Sequence, residues 1–257
     1  MNYLIAGLAK SGTTMLFSRI QRALDATLSC YFEPEKHDEL LAILKRGEQG
    51  DTLTKVLIGR VMPDNEVVAL FDKQVLIYRD PRDQFVSMLL YLFYDFQLNG
   101  DQAGFDSCYA TLERKQREPA AVSAIALYNQ LASSVDRAPI AVFNNLHRVQ
   151  QEYIAAFSPW LARYEDLLDG QWSELESYLG LELALAADVP PEYQRVVRSK
   201  GYGDWRNWLN EQDMAYIDAH WGRAITSLGY AMDDPYNEQA ISRKTTLDYV
   251  DQFNPTQ

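Results

Sequence analysis

The chain has 257 residues, enough for one large or two small domains, and 47% of them are apolar, which can supply a sizeable core. Its formal net charge of −12 argues against a nucleic-acid binder, because a phosphate backbone requires a basic face. The two cysteines form no CxxC pair and the three histidines are scattered, so neither a disulfide framework nor a histidine-built metal site is expected. Any anion must therefore be held by a local cluster of bases.

No apolar run reaches about 18 residues, so no membrane span is expected. No secretory signal pattern is evident, and we expect a cytoplasmic protein. No strong linker divides the sequence, which favours a single domain over residues 1–257. The segment from about residue 233 is polar, and we expect it to be a mobile tail.

The first fourteen residues predict a phosphate-binding loop. Residues 3–6 (YLIA) have the length of a buried strand, Gly7 ends the strand, and a helical pattern begins near Thr13. A strand, a glycine-bounded loop and a helix N-terminus direct backbone N–H groups and the positive end of a helix dipole at one point. We call residues 7–14 the phosphate loop.

Strands and helices alternate along the rest of the chain. Strands are predicted at 52–58, 74–78 and 158–164, and helices at 14–28, 35–46, 84–97, 107–157, 175–181 and 210–228. Residues 67–71 are predicted as a short helix or turn, residues 30–34 as a break after the first helix, and residues 99–106 and 198–207 as loops. This alternation predicts a three-layer α/β fold, with a mainly parallel central sheet and flanking helices, like that of P-loop nucleotide hydrolases. Ligands of such sheets bind at the carboxyl ends of the strands.

The phosphate loop reads GLAKSGTT and departs from the nucleotide-triphosphate motif G-x-x-x-x-G-K-[ST]. Thr13 stands where that motif has its lysine, and the lysine has moved to Lys10 inside the loop. A lysine there can still lie along a diphosphate, but the change weakens a kinase or ATPase interpretation. An ordinary strand-to-helix turn remains the alternative for this loop taken alone.

Two further segments could bind an anion. Residues 79–87 (RDPRDQFVS) follow a predicted strand, and Arg79 and Ser87 supply a charged fork and a hydroxyl donor. Residues 198–205 (RSKGYGDW), here called the late loop, combine Arg198 and Lys200 with two glycines that allow close backbone approach. A surface ion pair and a solvated basic loop are the respective alternatives.

Together these segments resemble the cofactor site of sulfotransferases that use 3′-phosphoadenosine 5′-phosphosulfate (PAPS). That family has K-S-G-T-T, R-[DN]-P-[RK]-D-x-x-x-S, Y-E-D-[LM] and R-K-G-x-x-G-D-W motifs, and here residues 10–14, 79–87, 164–167 and 198–205 match them in order. The late loop departs at Ser199 and Lys200, where the family has Lys and Gly, and Met15 replaces a frequent Trp. The resemblance implies cofactor contacts from Lys10, Ser11, Gly12, Thr13, Thr14, Met15, Arg79, Ser87, Tyr164, Arg198, Lys200 and Gly201.

The resemblance also bears on the catalytic base. Cytosolic members have K-T-H before the Arg strand, and Lys55 matches that lysine while Leu57 replaces the histidine. Other branches of the family use a Glu soon after the first helix, which matches Glu33, with Glu35 and His37 as the other candidates. We therefore expect Glu33 to be the base, and Lys10 and Lys55 to stabilise the leaving group.

The resulting hypothesis is a metal-independent sulfotransferase that moves a sulfuryl group from PAPS to a hydroxyl acceptor by in-line displacement and releases the desulfated product, PAP. The implied acceptor is a carbohydrate or a small-molecule alcohol or phenol. An ATP-dependent small-molecule kinase and a nucleotide-binding relative without catalysis are the alternatives.

Overall fold

The computed structural model describes residues 1–24, 29–45, 51–183, 189–232 and 240–256. The chain divides into two units. The first, called the sheet unit, is formed by Met1–Arg79 and Arg148–Gln194, and the second, called the helical unit, by Asp80–His147 and Arg195–Gln257. The reading of the chain as one domain stays a prediction.

The sheet unit is built on a five-stranded sheet in which every neighbouring pair is parallel. Its strands are β1 (Asn2–Gly7), β2 (Ser29–Phe32), β3 (Thr52–Leu57), β4 (Lys73–Tyr78) and β5 (Trp160–Arg163). The strand order is β2-β3-β1-β4-β5, so β1 is the central strand. The predicted parallel sheet is confirmed, and the continuous burial of β3 suits a strand covered on both faces.

The described helices are, in chain order, α1 (Thr13–Ala23), α2 (His37–Lys45), α3 (Asn65–Val68), α4 (Pro81–Tyr91), α5 (Phe93–Asn99), α6 (Gln102–Arg117), α7 (Ala124–Ser134), α8 (Ile140–Phe157), α9 (Tyr164–Leu168), α10 (Ser173–Leu179), α11 (Trp205–Trp208), α12 (Glu211–Ser227) and α13 (Leu247–Asp251). A short 3₁₀ helix covers Pro191–Val196.

Helices cover both faces of the sheet, as a three-layer arrangement requires. Successive side chains of a strand point to opposite faces, and Leu4 and Ile5 of β1 lie in different cores. Ile5 packs with residues of α1, α9 and α10, whereas Leu4 packs with Leu40 of α2 and Val67 of α3. The sequence-based prediction of a three-layer α/β fold is therefore confirmed.

The helical unit has an aromatic core. The ring of Phe85 on α4 lies 5.5 Å from that of Trp221 on α12 and 5.9 Å from that of Phe143 on α8. The Asp213 carboxylate, fully buried, accepts hydrogen bonds from the first amides of α7, Ala124 N at 2.9 Å and Ile125 N at 3.1 Å. The negative charge therefore stabilises a helix N-terminus from another helix.

Several predictions about elements were wrong, among them the continuous helical stretch over residues 107–157, which consists of parts of α6, α7 and α8 with breaks between them. Residues 30–34 were predicted to be a helix break, but Ser29–Phe32 form β2, because they pair with β3. The predicted loop 99–106 is a junction of two helices: Gly100 ends α5 at φ 68°, and Asp101 caps α6 by accepting from Gly104 N at 2.9 Å. Helix α1 ends at Ala23 rather than at residue 28, and residues 25–28, like residue 46 at the predicted end of α2, lie outside the described residues.

The C-terminal segment also differs from the prediction. Residues 240–256 are folded, and Leu247, Val250 and Phe253 are buried. The Phe253 ring packs 6.1 Å from Tyr91 and 5.5 Å from Tyr94 within the helical unit. The apolar side chains recur at helical spacing in a mostly polar sequence, so the segment packs where a mobile tail was expected. Residues 233–239 and 257 lie outside the described residues.

Candidate active site

The predicted site residues of the sheet unit lie at or near the carboxyl ends of its strands. Because all five strands are parallel, these ends lie at the same edge of the sheet. The phosphate loop follows β1, Glu33 follows β2, Arg79 follows β4 and Tyr164 follows β5, while Lys55 lies two residues before the end of β3. The strand order changes direction around β1, which is where parallel sheets commonly bind ligands.

The phosphate loop has the backbone geometry of an anion site. Lys10 and Gly12 adopt left-handed conformations, with φ 66° and 99°. The buried hydroxyl of Ser11 donates to Leu8 O at 2.7 Å and holds the turn closed. Helix α1 begins directly after Gly12, whose missing side chain leaves the first-turn amides without a side-chain cap. Such successive turns and an uncapped helix N-terminus present N–H groups to a phosphate.

The Tyr164 ring connects the phosphate loop with Arg79. A Cβ atom added to Gly12 would lie 2.5 Å from Tyr164 Cδ2, so the ring packs directly on the loop backbone. The Arg79 guanidinium, mostly buried, lies 4.6 Å from the centroid of the same ring. The tyrosine therefore helps to fix two segments that the sequence assigned to phosphate binding, and its contact with adenine stays a prediction.

Lys55 is a buried cation beside the first turn of α1. Its Nζ donates to Thr14 Oγ1 at 2.8 Å and to Glu33 Oε1 at 2.6 Å, and the residue is 1% exposed. Burial lowers the pKa of Lys55 to about 8, although the Glu33 carboxylate opposes this shift. The ammonium group is therefore mostly protonated at neutral pH and loses its proton at a lower pH than a solvated lysine does.

Aromatic rings hold Lys55 from the remaining side. Its Nζ lies 3.9 Å from the centroid of the Phe32 ring, close enough for a cation–π contact. The Phe32 ring stacks on Tyr193 at 4.3 Å and meets the edge of Phe17 at 5.3 Å. These contacts restrict the orientation of the ammonium group.

Glu33 is positioned by strand β2. Phe32 is paired with Lys55 in the sheet, and the next amide, Glu33 N, donates to Lys55 O at 2.9 Å. Glu33 then adopts φ 52°, a conformation that is uncommon outside glycine. Its carboxylate meets Lys55 through Oε1 and lies 3.5 Å from Arg60 NH1 through Oε2. With 24% of its side chain exposed, Glu33 still reaches solvent.

The two other candidate bases have different surroundings. His37 Nε2 lies 3.0 Å from Asp64 Oδ2, at the N-terminal ends of α2 and α3. Glu35 is exposed, and its amide donates to Glu39 Oε2 at 2.9 Å. Of the three acids and bases considered, Glu33 is the one that forms the ion pair with Lys55.

The helical unit contains the remaining predicted cofactor residues. Ser87 is buried on α4, Lys200 is exposed, and a side chain at Gly201 would meet open space. The Arg198 guanidinium is buried and pairs with Asp204, at 2.5 Å from NH1 and 3.0 Å from NH2. Burial alone would lower the pKa of Arg198, but the Asp204 carboxylate raises it above its ordinary value. Within the described chain, Arg198 Nε has no hydrogen-bond partner.

Sequence reasoning missed several residues that shape these clusters. Phe32 and Arg60 flank the Glu33–Lys55 pair, and Asp83 and Asp204 bind groups of the late loop. The two aspartates lie inside the recognised motifs at 79–87 and 198–205, and this position could have identified them as part of the site. Phe32 and Arg60 carried no such signal, because their positions depend on the register of β2 and on the turn after β3.

The described residues contain no group of three or more His, Cys, Asp or Glu that could hold a metal ion. Among the helices that can be described, none is both long and apolar enough to cross a membrane.

Comparison with known proteins relates the structure to a sulfotransferase. No family model matches the sequence, and no curated protein matches it. Among solved structures, it is similar to the crystal structure of mouse sulfotransferase SULT7A1 complexed with PAP, with a TM-score of 0.55 and 16% sequence identity. The match covers 88% of this chain and 84% of the mouse chain. At this identity the likeness shows that the two proteins share a fold.

Proposed function

We propose that the protein is a sulfotransferase that moves a sulfuryl group from PAPS to a hydroxyl acceptor. The observation that carries the proposal is the cluster of Glu33, Lys55 and Thr14. It places a partly exposed carboxylate and a buried ammonium group against the first turn of the helix that follows the phosphate loop. Acid–base chemistry and charge stabilisation are the two functions that sulfuryl transfer requires of a protein.

Each of the two units contains residues that suit a phosphorylated nucleotide. The backbone of the phosphate loop and the N-terminus of α1 supply N–H groups for a 5′-phosphosulfate, and the unpaired, buried Nε of Arg198 is a donor that a phosphate oxygen would satisfy. The motif resemblance assigns the 5′ end to Lys10, Ser11, Gly12, Thr13 and Thr14, the adenine to Met15 and Tyr164, and the 3′-phosphate to Arg79, Ser87, Arg198, Lys200 and Gly201.

The proposed chemistry is an in-line displacement at sulfur. When bound, PAPS supplies the activated sulfuryl group. Glu33 accepts the proton of the acceptor hydroxyl as the new O–S bond forms, and it retains that proton. Lys55 and Lys10 place positive charge where the bond to the phosphate oxygen breaks, and the electron pair of that bond leaves with PAP. A positioned base contributes a factor of roughly 10² to 10⁴ in rate.

Two alternatives receive less support. A kinase that uses ATP is disfavoured because Thr13 replaces the lysine of the triphosphate motif. A relative that binds nucleotide without catalysis receives less support because Glu33, a candidate base, lies beside the phosphate loop with 24% of its side chain exposed. We further propose a cytoplasmic enzyme that needs no metal, with a carbohydrate or small-molecule alcohol or phenol as acceptor.

Thermal stability in the presence of nucleotides tests the proposal. PAP, ADP with Mg²⁺, and adenosine 5′-phosphosulfate, which lacks the 3′-phosphate, are added separately at equal concentration. At about 100 times its dissociation constant a ligand stabilises the native state by about 2.7 kcal/mol, or a shift of roughly 5–10 °C for a chain of this size. We expect PAP to give the largest shift. Stabilisation by ADP with Mg²⁺ and none by PAP would overturn the proposal.

A further inference from the structure

Asp83 connects two of the sequence motifs inside the helical unit. It lies in the first turn of α4, within the RDPRD segment, and is 1% exposed. One carboxylate oxygen accepts from Gly203 N at 2.5 Å and the other from Trp205 N at 3.2 Å. Both amides belong to the late loop, some 120 residues away in sequence. A single carboxylate therefore fixes the loop through its backbone.

The neighbouring residues of the same segment strengthen this connection. The Arg82 guanidinium stacks 3.7 Å from the centroid of the Trp205 ring. Asp80 holds that guanidinium from the other direction, with Arg82 Nε 2.9 Å from Oδ1 and NH2 2.7 Å from Oδ2. All of these side chains are buried, so their geometry is set by packing as well as by charge.

The connection extends to Arg198. Asp204 lies between the two residues whose amides bind Asp83, so its backbone is held on both sides. Its carboxylate in turn takes both terminal nitrogens of Arg198. Because those nitrogens are occupied, the guanidinium orientation is fixed and Nε is left as the unpaired donor.

We infer that Asp83 is a positioning residue for nucleotide recognition, which sets the late loop and the Arg198 guanidinium for a 3′-phosphate that Asp83 does not itself contact. This inference rests on the proposed function. An asparagine cannot substitute for the aspartate, because it has one acceptor oxygen for two amide donors and would direct its own N–H₂ group at the second amide. Leaving a buried amide without an acceptor disfavours the observed loop conformation.

The test compares the affinity for PAP with that for adenosine 5′-phosphate, because the ratio of the two dissociation constants isolates the contribution of the 3′-phosphate. The ratio is the dissociation constant of adenosine 5′-phosphate divided by that of PAP. In Asp83→Asn, calorimetric titration should show this ratio falling by about tenfold or more. Asp213→Asn is the matched control, since Asp213 is also a fully buried carboxylate in the helical unit, and it accepts from the backbone amides of Ala124, Ile125 and Asn210. It should lower stability and leave the ratio unchanged.

The outcomes separate the inference from the proposed function. If the wild-type protein binds PAP no more tightly than adenosine 5′-phosphate, the proposed function fails. If the wild-type protein discriminates and Asp83→Asn keeps the ratio within about twofold, the role of Asp83 is overturned while the proposed function stands. Should Asp83→Asn not fold, Asp83→Glu retains the charge but displaces the carboxylate by one methylene, and an unchanged ratio in that variant overturns the inference equally.

Discussion

The buried ammonium group of Lys55 predicts that nucleotide affinity depends on pH in a range where ordinary lysines do not titrate. Its pKa is lowered to about 8, first by burial, whereas a solvated lysine has a pKa of about 10.4. Lys55 is therefore about nine-tenths protonated at pH 7 and about one-tenth protonated at pH 9. An anion bound beside it would raise its pKa, since opposite charge favours the protonated form.

The sign and size of the effect follow from proton linkage. Above pH 8 the complex holds a proton that the free protein has lost, so binding takes up a proton and the affinity falls as the pH rises. For a free-protein pKa of about 8, the affinity for PAP should fall by about tenfold between pH 7 and pH 9, or about 1.4 kcal/mol. PAP itself titrates little in this interval, because phosphate monoesters lose their second proton near pH 6 and are already about nine-tenths ionised at pH 7.

Isothermal titration of PAP at both pH values, in two buffers of different ionisation enthalpy, measures the affinity and the number of protons taken up. We expect close to one proton at pH 9 in the wild-type protein. The Lys55→Met variant should bind PAP weakly, and its affinity for PAP should depend little on pH. Lys115, whose pKa burial also lowers to about 8, is present in both proteins and serves as an internal control. Equal wild-type affinity at the two pH values, or the same decrease in the variant, would refute the reasoning.

Three further predictions concern Glu33, Gly12 and His147. Glu33→Gln should reduce turnover by roughly 10²- to 10⁴-fold while PAP still binds, and unchanged turnover would remove Glu33 from the mechanism. Gly12→Ala should lower the free energy of unfolding by at least about 1–3 kcal/mol in chemical denaturation, because φ is 99° and the new Cβ meets the Tyr164 ring. Adding Tyr164→Ala to the same chain should relieve the clash with the ring and leave the cost of the backbone conformation. Burial lowers the pKa of His147 to about 4, below its unfolded value of about 6.5, so the folded protein loses roughly 2–3 kcal/mol of stability as the pH falls from 7 to 4.5. His147→Phe should lack this part of the acid sensitivity in urea unfolding, and an equal loss in both proteins would contradict the assignment.

The sheet could be predicted because its central strands are marked by local sequence. The runs YLIA and QVLIY are continuous and apolar, which is typical of strands buried on both faces. Strand β2 could not be predicted in the same way. Three of its four residues are only partly buried and Cys30 is exposed, and they become a strand through pairing with β3, a contact distant in sequence.

In the candidate site, too, the local sequence predicts some features, whereas others depend on contacts between distant segments. The phosphate loop and its glycines follow from a short contiguous pattern. The Glu33–Lys55 ion pair depends on the register that places Phe32 opposite Lys55, and the contact of Asp83 with Gly203 joins segments some 120 residues apart. The fold of the C-terminal segment was within reach of the sequence, since Leu247, Val250 and Phe253 recur three residues apart, but the overall polarity of the tail concealed this spacing.

Identification of the transferred group tests the central claim most directly. The wild-type protein and the Glu33→Gln variant are incubated with one panel of carbohydrate, alcohol and phenol acceptors, in parallel with ³⁵S-labelled PAPS and with γ-³²P-labelled ATP and Mg²⁺. The proposed function predicts ³⁵S-labelled product from the wild-type protein without added metal, and a loss of at least about a hundredfold in the variant. Product labelled with ³²P and none with ³⁵S would contradict it.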